Sequence, residues 1–332
     1  MIAAMFPGQG AQAVGMGQDL AATHEVARRT FEEADDVLGY ALSEVCFTGP
    51  AERLTATDVC QPALVATSVA AFRVAQESGF APGLVLGHSL GEYSALVAAG
   101  AMDYATALRT VAARGSAMRE AGRAAPGAMA ALLGLDDDDA RALAQEAGEV
   151  WPANYNCPGQ VVVSGSEAGI DRVVALAGER GVRVARLAVD GPFHSPLIAA
   201  AADRLRPALD AWDPAPPDPP FLSTTTCALE PHERMREVLL DQLTSPVRFG
   251  DAVVAALDQG AESFVELGPG RVLSGLVRRV RRDATTARVG DAGGRHGHGP
   301  EAPAGGGIPG ARVRRALDRH VAAQALVVSP VD

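Results

Sequence analysis

Ser89 stands between two glycines in Gly87-His88-Ser89-Leu90-Gly91, a G-x-S-x-G pattern. The run Leu84-Val85-Leu86 ahead of it is short and apolar, and Glu92 to Ala99 behind it is rich in Ala and Leu. A strand, a sharp turn and a helix with serine on the turn push a hydroxyl out into a cleft as a nucleophile. Small residues at 87 and 91 let strand and helix close around strained backbone. The adjoining helix N-terminus offers free N–H groups and the positive dipole end, worth roughly 0.3–1 kcal/mol to a nearby negative charge. That environment suits acyl transfer, in which an oxyanion forms beside the attacking oxygen. A structural turn with an incidental serine is the plainer alternative; the flanking strand and helix weigh against it.

A serine nucleophile needs a base. Of seven histidines, His296, His298 and His320 fall in a low-complexity C-terminal stretch, and His24 and His232 in polar segments. His88 adjoins Ser89 and points away if the serine points in. His194 remains, on the turn Gly191-Pro192-Phe193-His194-Ser195-Pro196 just before a helical stretch, Pro196 to Leu209. On its own a loop histidine is usually only solvated.

Gln9 lies in a second glycine turn, Gly8-Gln9-Gly10, whose N–H groups can face a ligand. It is no phosphate loop, because the lysine of G-x-x-x-x-G-K-[ST] is missing. Arg114 sits on a helix, Tyr104 to Ala121, that could flank the cleft; a solvated helical arginine is the plainer reading. Asp136 to Asp139 open a helix and are explained by capping and dipole complementarity rather than by a metal. Cys46, Cys60, Cys157 and Cys227 are far apart with no C-x-x-C, so structural thiols are expected, with neither disulfides nor zinc.

The elements that must position these groups follow from periodicity. Met1 to Phe6 is a first buried strand and Leu84 to Leu86 the central one. Gln61 to Glu77 has apolar residues throughout (Leu64, Val65, Val69, Phe72, Val74) and reads as a buried helix. Between about 125 and 190 the order changes to βαββαβ, the pattern of a ferredoxin-like unit inserted in a larger domain. The chain returns to the large domain at Val189, with a strand at Phe221 to Thr225, another at Ser263 to Leu267 and a helix from Val272 to Arg282. The fold class is therefore α/β, with residues 1–124 and 191–282 as a core, 125–190 as a subdomain and 283–332 as a flexible Gly/Pro-rich tail with a short helix.

The chain has 332 residues, 48% hydrophobic and 21% charged, within the range of a globular protein. Its formal net charge of −11 argues against nucleic acid as a partner, and all 29 basic residues are arginine. No apolar run reaches the ~18 residues of a membrane span, and the N-terminus lacks a basic signal-peptide region. A cytoplasmic monomer off the membrane is expected.

Several motifs together resemble the malonyl-CoA:acyl carrier protein transacylases, including the acyltransferases of polyketide synthases. They are Phe6-Pro7-Gly8-Gln9-Gly10-Ala11-Gln12, Gly87 to Glu92, Arg114, Asn154-Tyr155-Asn156 with Pro158-Gly159-Gln160-Val161, Gly191 to Ser195, Gln242-Leu243 with Pro246-Val247-Arg248, and Glu266 to Gly270. They span residues 1 to about 282 in the family's order; the stretch after Asp283 departs from it. The resemblance implies an α/β-hydrolase-like core with Ser89 as nucleophile and His194 as general acid and base. The imidazole would be oriented by a main-chain carbonyl near Gln242 rather than by an Asp. The N–H groups of Gln9 and Leu90 would form the oxyanion hole. Arg114 would hold the malonyl carboxylate, with Gln242 bordering the site. Asn154 and Asn156 would lie toward the pantetheine arm, and His88 is counted with the substrate-binding residues. Phe193 before the histidine, with Leu90, favours malonyl over α-methylated units. The implied partners are malonyl-CoA and a holo acyl carrier protein, with no bound cofactor or metal.

Two other readings use the same residues. An editing hydrolase would release the acyl group to water, though it would be expected to lack Arg114. A non-enzymatic docking module would tolerate loss of Ser89, His194 and Arg114. Fatty-acid and polyketide assembly are not separated by these motifs.

Overall fold

The computed structural model of the chain describes residues 1–290. Among them nine strands follow in chain order: β1 (Ile2–Phe6), β2 (Leu84–Gly87), β3 (Gly127–Leu133), β4 (Val150–Cys157), β5 (Gln160–Ser166), β6 (Arg183–Arg186), β7 (Phe221–Leu222), β8 (Ser263–Leu267) and β9 (Thr285–Val289).

Five of them form one sheet in the order β7-β2-β1-β8-β9, every pair parallel. Strands buried on both faces carry near-continuous apolar runs, as Ile2–Phe6 and Leu84–Gly87 do. Alternate side chains feed two cores. Ala4, Phe6, Val85 and Val265 pack under the helices Thr57–Glu77 and Tyr104–Ala124. Ala3, Met5, Leu84, Leu86 and Phe264 pack under Phe249–Asp258 and Val272–Val280.

The second sheet is antiparallel, in the order β4-β5-β3-β6. With the helices Asp137–Ala147 and Glu167–Glu179 it makes the βαββαβ ferredoxin-like unit. Ala130, Leu132, Val161 and Val163 face those helices. Met129, Ala131 and Val162 on the other face join the large core, which fixes the small unit against the large one. Asp136 caps its first helix by accepting from the Asp139 N–H at 2.8 Å, so the acidic run serves the helix end.

Four expectations are corrected. β1, not β2, is the middle strand, because it is bonded on both sides by β2 and β8. The core does not end at residue 282: β9 pairs along the whole of β8, from Ser263↔Thr285 to Leu267↔Val289. The expected tail beyond 290, with its short helix, lies outside the described residues. The strand expected over 221–225 stops at Leu222, because the Thr224 N–H turns aside to a buried carboxylate on Glu92, 2.6 Å away. The stretch 196–209 divides into a 3₁₀ turn, Pro196–Ile198, and a helix, Ala200–Asp210.

Backbone packs against backbone where β2 turns into the helix Gly91–Ala98. A Cβ on Gly91 would sit 2.0 Å from the Phe6 carbonyl oxygen, and one on Gly87 would sit 2.0 Å from the Gly91 carbonyl carbon. Neither neighbour can yield. Gly91→Ala is expected to destabilise the fold by about 3 kcal/mol or more, the upper end for overpacking. Urea unfolding read by circular dichroism measures it; a midpoint equal to that of the parent would refute the steric argument.

Candidate active site

Ser89 has φ +51°, a left-handed conformation that a non-glycine residue adopts only under constraint. The close approach of Gly87 and Gly91 supplies it. The following amides are committed, Gly91, Glu92 and Tyr93 donating to the carbonyls of His88, Ser89 and Leu90 at 3.0, 3.0 and 3.1 Å. The turn lies at the C-terminal end of β2, beside the Gly8-Gln9-Gly10 loop that follows β1. A Cβ on Gly8 would sit 2.4 Å from the His88 carbonyl oxygen, so the two loops touch.

His194 also holds a positive φ, +57°. Its Nε2 is 2.9 Å from Ser89 Oγ. Its Nδ1 is 2.8 Å from the Gln242 carbonyl oxygen and 3.2 Å from that of Ser245. Carbonyls only accept, so Nδ1 carries the proton and Nε2 accepts from the serine. Burial pushes the imidazole pKa down to about 3, with the positive charge of Arg114 adding to it; the two carbonyls pull the other way. The ring is thus neutral at physiological pH and free to take a proton.

Arg114 is 1% exposed. Its Nη2 donates to Ser89 Oγ at 3.1 Å and to Gln242 Oε1 at 2.9 Å, and its Nη1 to Gln61 Oε1 at 2.9 Å. The Tyr93 ring lies 5.7 Å from the guanidinium carbon. Among the described residues it forms no ion pair, and burial lowers its pKa. A buried cation met only by neutral acceptors favours an incoming anion.

Gln242 ties these pieces together. Besides the Arg114 and His194 contacts, its Nε2 donates to the Ser89 carbonyl at 3.1 Å and to Glu92 Oε2 at 2.7 Å. Gln61 lies outside the motifs, and Glu92 ends one of them without a role assigned to it. Both are fully buried, each on a helix that is buried along most of its length.

The remaining candidates sit around this centre. His88 Nε2 meets Asn156 Oδ1 at 2.9 Å, linking the nucleophile turn to the small unit. Gln9 is half-buried, its amide 3.4 Å from Thr57 Oγ1. Leu90 and Phe193 are buried in the large core, and Asn154 lies on β4 where the main chain bridges Val247. A cleft of about 500 Å³ leads out from His194, walled by Trp151, Tyr155, Pro196, Thr244 and Pro246. Asn154, Asn156, Phe193 and His88 are not part of that wall. Cys46, Cys60 and Cys157 are buried and Cys227 is partly exposed, and none of the four is in a disulfide.

The chain matches the family described as acyl transferase domain over residues 5–294. It is 45% identical over 296 residues to a malonyl CoA-acyl carrier protein transacylase of Bacillus subtilis (strain 168), covering 87% of this chain and 93% of that one. A protein of the same name from Escherichia coli (strain K12) is 43% identical over 282 residues, covering 83% and 91%. Among solved structures, an acyl carrier protein S-malonyltransferase from Vibrio cholerae superimposes with a TM-score of 0.84 at 41% identity, over 88% of this chain and 97% of that one. A type II PKS acyl-carrier protein in complex with its malonyl-transacylase gives 0.84 at 42% identity, over 88% and 96%.

The charge on Arg114 disfavours a second positive charge on His194, so removing it must favour the imidazolium. Arg114→Met is expected to raise the His194 pKa from about 3 toward the ordinary imidazole range. NMR titration of ring-labelled histidine reads this directly; an unmoved resonance would refute the contribution of Arg114 and leave burial and His88.

Proposed function

The chain belongs to the acyl transferase domain family, and we propose that it moves a malonyl group from malonyl-CoA to the phosphopantetheine thiol of an acyl carrier protein through an ester on Ser89. The observation that carries this reading is Arg114, a buried cation 3.1 Å from the nucleophile with only neutral partners. A malonyl group brings the missing anion; an acetyl group or a neutral chain does not. A guanidinium holds a carboxylate by two parallel hydrogen bonds.

In the first half-reaction Ser89 Oγ gives its proton to His194 Nε2 and attacks the thioester carbonyl. The tetrahedral oxyanion is received by the main-chain N–H groups of Gln9 and Leu90, donors of a kind worth about 10²–10³ in rate. The C–S bond breaks, and CoA leaves as the thiol with the proton from His194. In the second half the carrier thiol gives its proton to His194 and attacks the ester. Ser89 leaves and recovers that proton.

The carboxylate also prepares the base. Paired with Arg114, it offsets the positive charge that holds the imidazole pKa down, so His194 becomes a stronger base once a malonyl group is seated. Phe193 and Leu90 bound the acyl side, where one methyl is worth about 1–3 kcal/mol of discrimination. His88 and Asn156 hold one another and so fix the small unit beside the nucleophile, while Gln242 borders the site. Exchange between thioester and ester calls for no resident metal or redox cofactor. The carrier is the holo form, serving fatty-acid or polyketide assembly, and the enzyme acts as a cytoplasmic monomer.

Intact-mass spectrometry after brief mixing with malonyl-CoA tests this. A malonyl-sized adduct is expected on the parent chain, absent from Ser89→Ala and discharged by added holo carrier protein. Arg114→Ala is expected to lose at least tenfold in malonyl loading, in keeping with the roughly 2–5 kcal/mol attached to one partner of a buried charge pair. An adduct lost equally fast with and without carrier would replace the transferase by a hydrolase. No adduct on folded protein would refute both.

A further inference from the structure

Glu92 is fully buried in the first turn of the helix after the nucleophile. Four donors converge on its carboxylate. The Thr224 N–H, the Thr224 hydroxyl and the Ser223 hydroxyl reach Oε1 at 2.6, 2.8 and 3.1 Å. The Gln242 amide reaches Oε2 at 2.7 Å. None of the residues named as nucleophile, base or anion holder touches this carboxylate. The side-chain link of Glu92 to them is Gln242, while its main-chain N–H donates to the Ser89 carbonyl.

That link has a direction. The two ends of a glutamine amide have nearly the same shape, and only donor and acceptor character tells them apart. An ionised carboxylate can only accept, so it draws the amide nitrogen of Gln242 toward itself and turns Oε1 toward Arg114. If the amide were reversed, its NH₂ would face the guanidinium, donor against donor, and Arg114 would lose an acceptor. The same residue's main-chain oxygen carries His194 Nδ1. The geometry points to Glu92 as a positioning residue that, in its ionised form, sets the orientation of Gln242 and through it holds Arg114 and His194 in register. This deepens the transferase reading and rests on it.

Ionisation makes the idea measurable. Burial pushes the Glu92 pKa up to about 7, against the four hydrogen bonds that pull it down. The charged or titratable groups facing it are Arg114 from the helix Tyr104–Ala124, Tyr93 on its own helix and Cys227 beyond β7. Tyr93 and Cys227 are raised to about 12 and about 11, so neither changes charge near neutrality. His194 is lowered to about 3. As the pH falls through about 7, Glu92 gains a proton and ceases to draw the amide nitrogen, leaving only the Ser89 carbonyl and Arg114 to orient Gln242.

The test compares parent, Glu92→Gln and Glu92→Asp for malonyl loading across pH 5.5 to 8.5, with circular dichroism to establish folding. The parent is expected to lose kcat/KM below about pH 7. Glu92→Gln should lack that limb and lie at least tenfold lower at pH 8, with most of the loss in KM for malonyl-CoA. Glu92→Asp keeps the charge and should restore the limb in part; it also serves if Glu92→Gln does not fold. A serine-directed fluorophosphonate is run on the same samples and reads Ser89 without malonyl-CoA. Its labelling rate is expected to fall at least fivefold in Glu92→Gln. Variants within twofold of the parent in both assays, with the limb retained, would overturn the proposal. Probe labelling without any malonyl adduct on the parent would overturn the transferase reading instead, and the labelling ratio would still decide the role of Glu92.

Discussion

Backbone lying against backbone, with no room for a side-chain carbon between, is the constraint from which the site follows. Gly87 and Gly91 meet at the end of β2, Gly91 rests on the Phe6 carbonyl at the end of β1, and Gly8 touches the His88 carbonyl. The chain between the first two must then reverse within four residues, and Ser89 takes up the strain with a left-handed backbone. The outcome is a hydroxyl at a helix N-terminus, at the carboxyl edge of a parallel sheet and next to a second glycine turn. The sheet makes this possible because its two faces are both covered, leaving the strand ends as the open position.

Charge sets the rest. A guanidinium taken out of water is costly unless acceptors surround it. Here the acceptors are two glutamine carbonyls and the nucleophile itself, all neutral. Such an arrangement solvates the cation without neutralising it. Burial first, and then this positive charge, keep the His194 imidazole unprotonated. A carboxylate in the place of Gln61 or Gln242 would have paired Arg114 with the protein's own negative charge. The nearest acid, Glu92, is kept one amide away by Gln242.

His194 is oriented by main-chain carbonyls rather than by an acidic side chain. Those dipoles fix the tautomer and favour the imidazolium without adding a full negative charge beside the anion site. The two units of the chain divide the site: the parallel sheet and its helices supply Ser89, His194 and Arg114. The antiparallel unit supplies the wall of the cleft through β4 and anchors it to the nucleophile turn by the His88–Asn156 bond.

The sequence alone determined what rests on local spacing. Two glycines at 87 and 91 with apolar residues on either side can only make a tight strand-to-helix turn, and the βαββαβ order reports an inserted unit. The motifs also picked out Ser89, His194 and Arg114 before any contact among them was known. Tertiary structure decided what depends on which distant segments meet. Sheet order placed β1 in the middle, and β9 joined the core from a stretch whose Gly-rich continuation hid it, because edge pairing with β8 depends on backbone hydrogen bonds more than on composition. Asn154 and Phe193 matched the family pattern yet do not line the cleft leading from His194. Glu92 and Gln61 are polar residues on largely buried helices, and nothing in their local sequence names their partners. Those partners lie 150 and 53 residues away along the chain, and only the folded backbone brings donor and acceptor within reach.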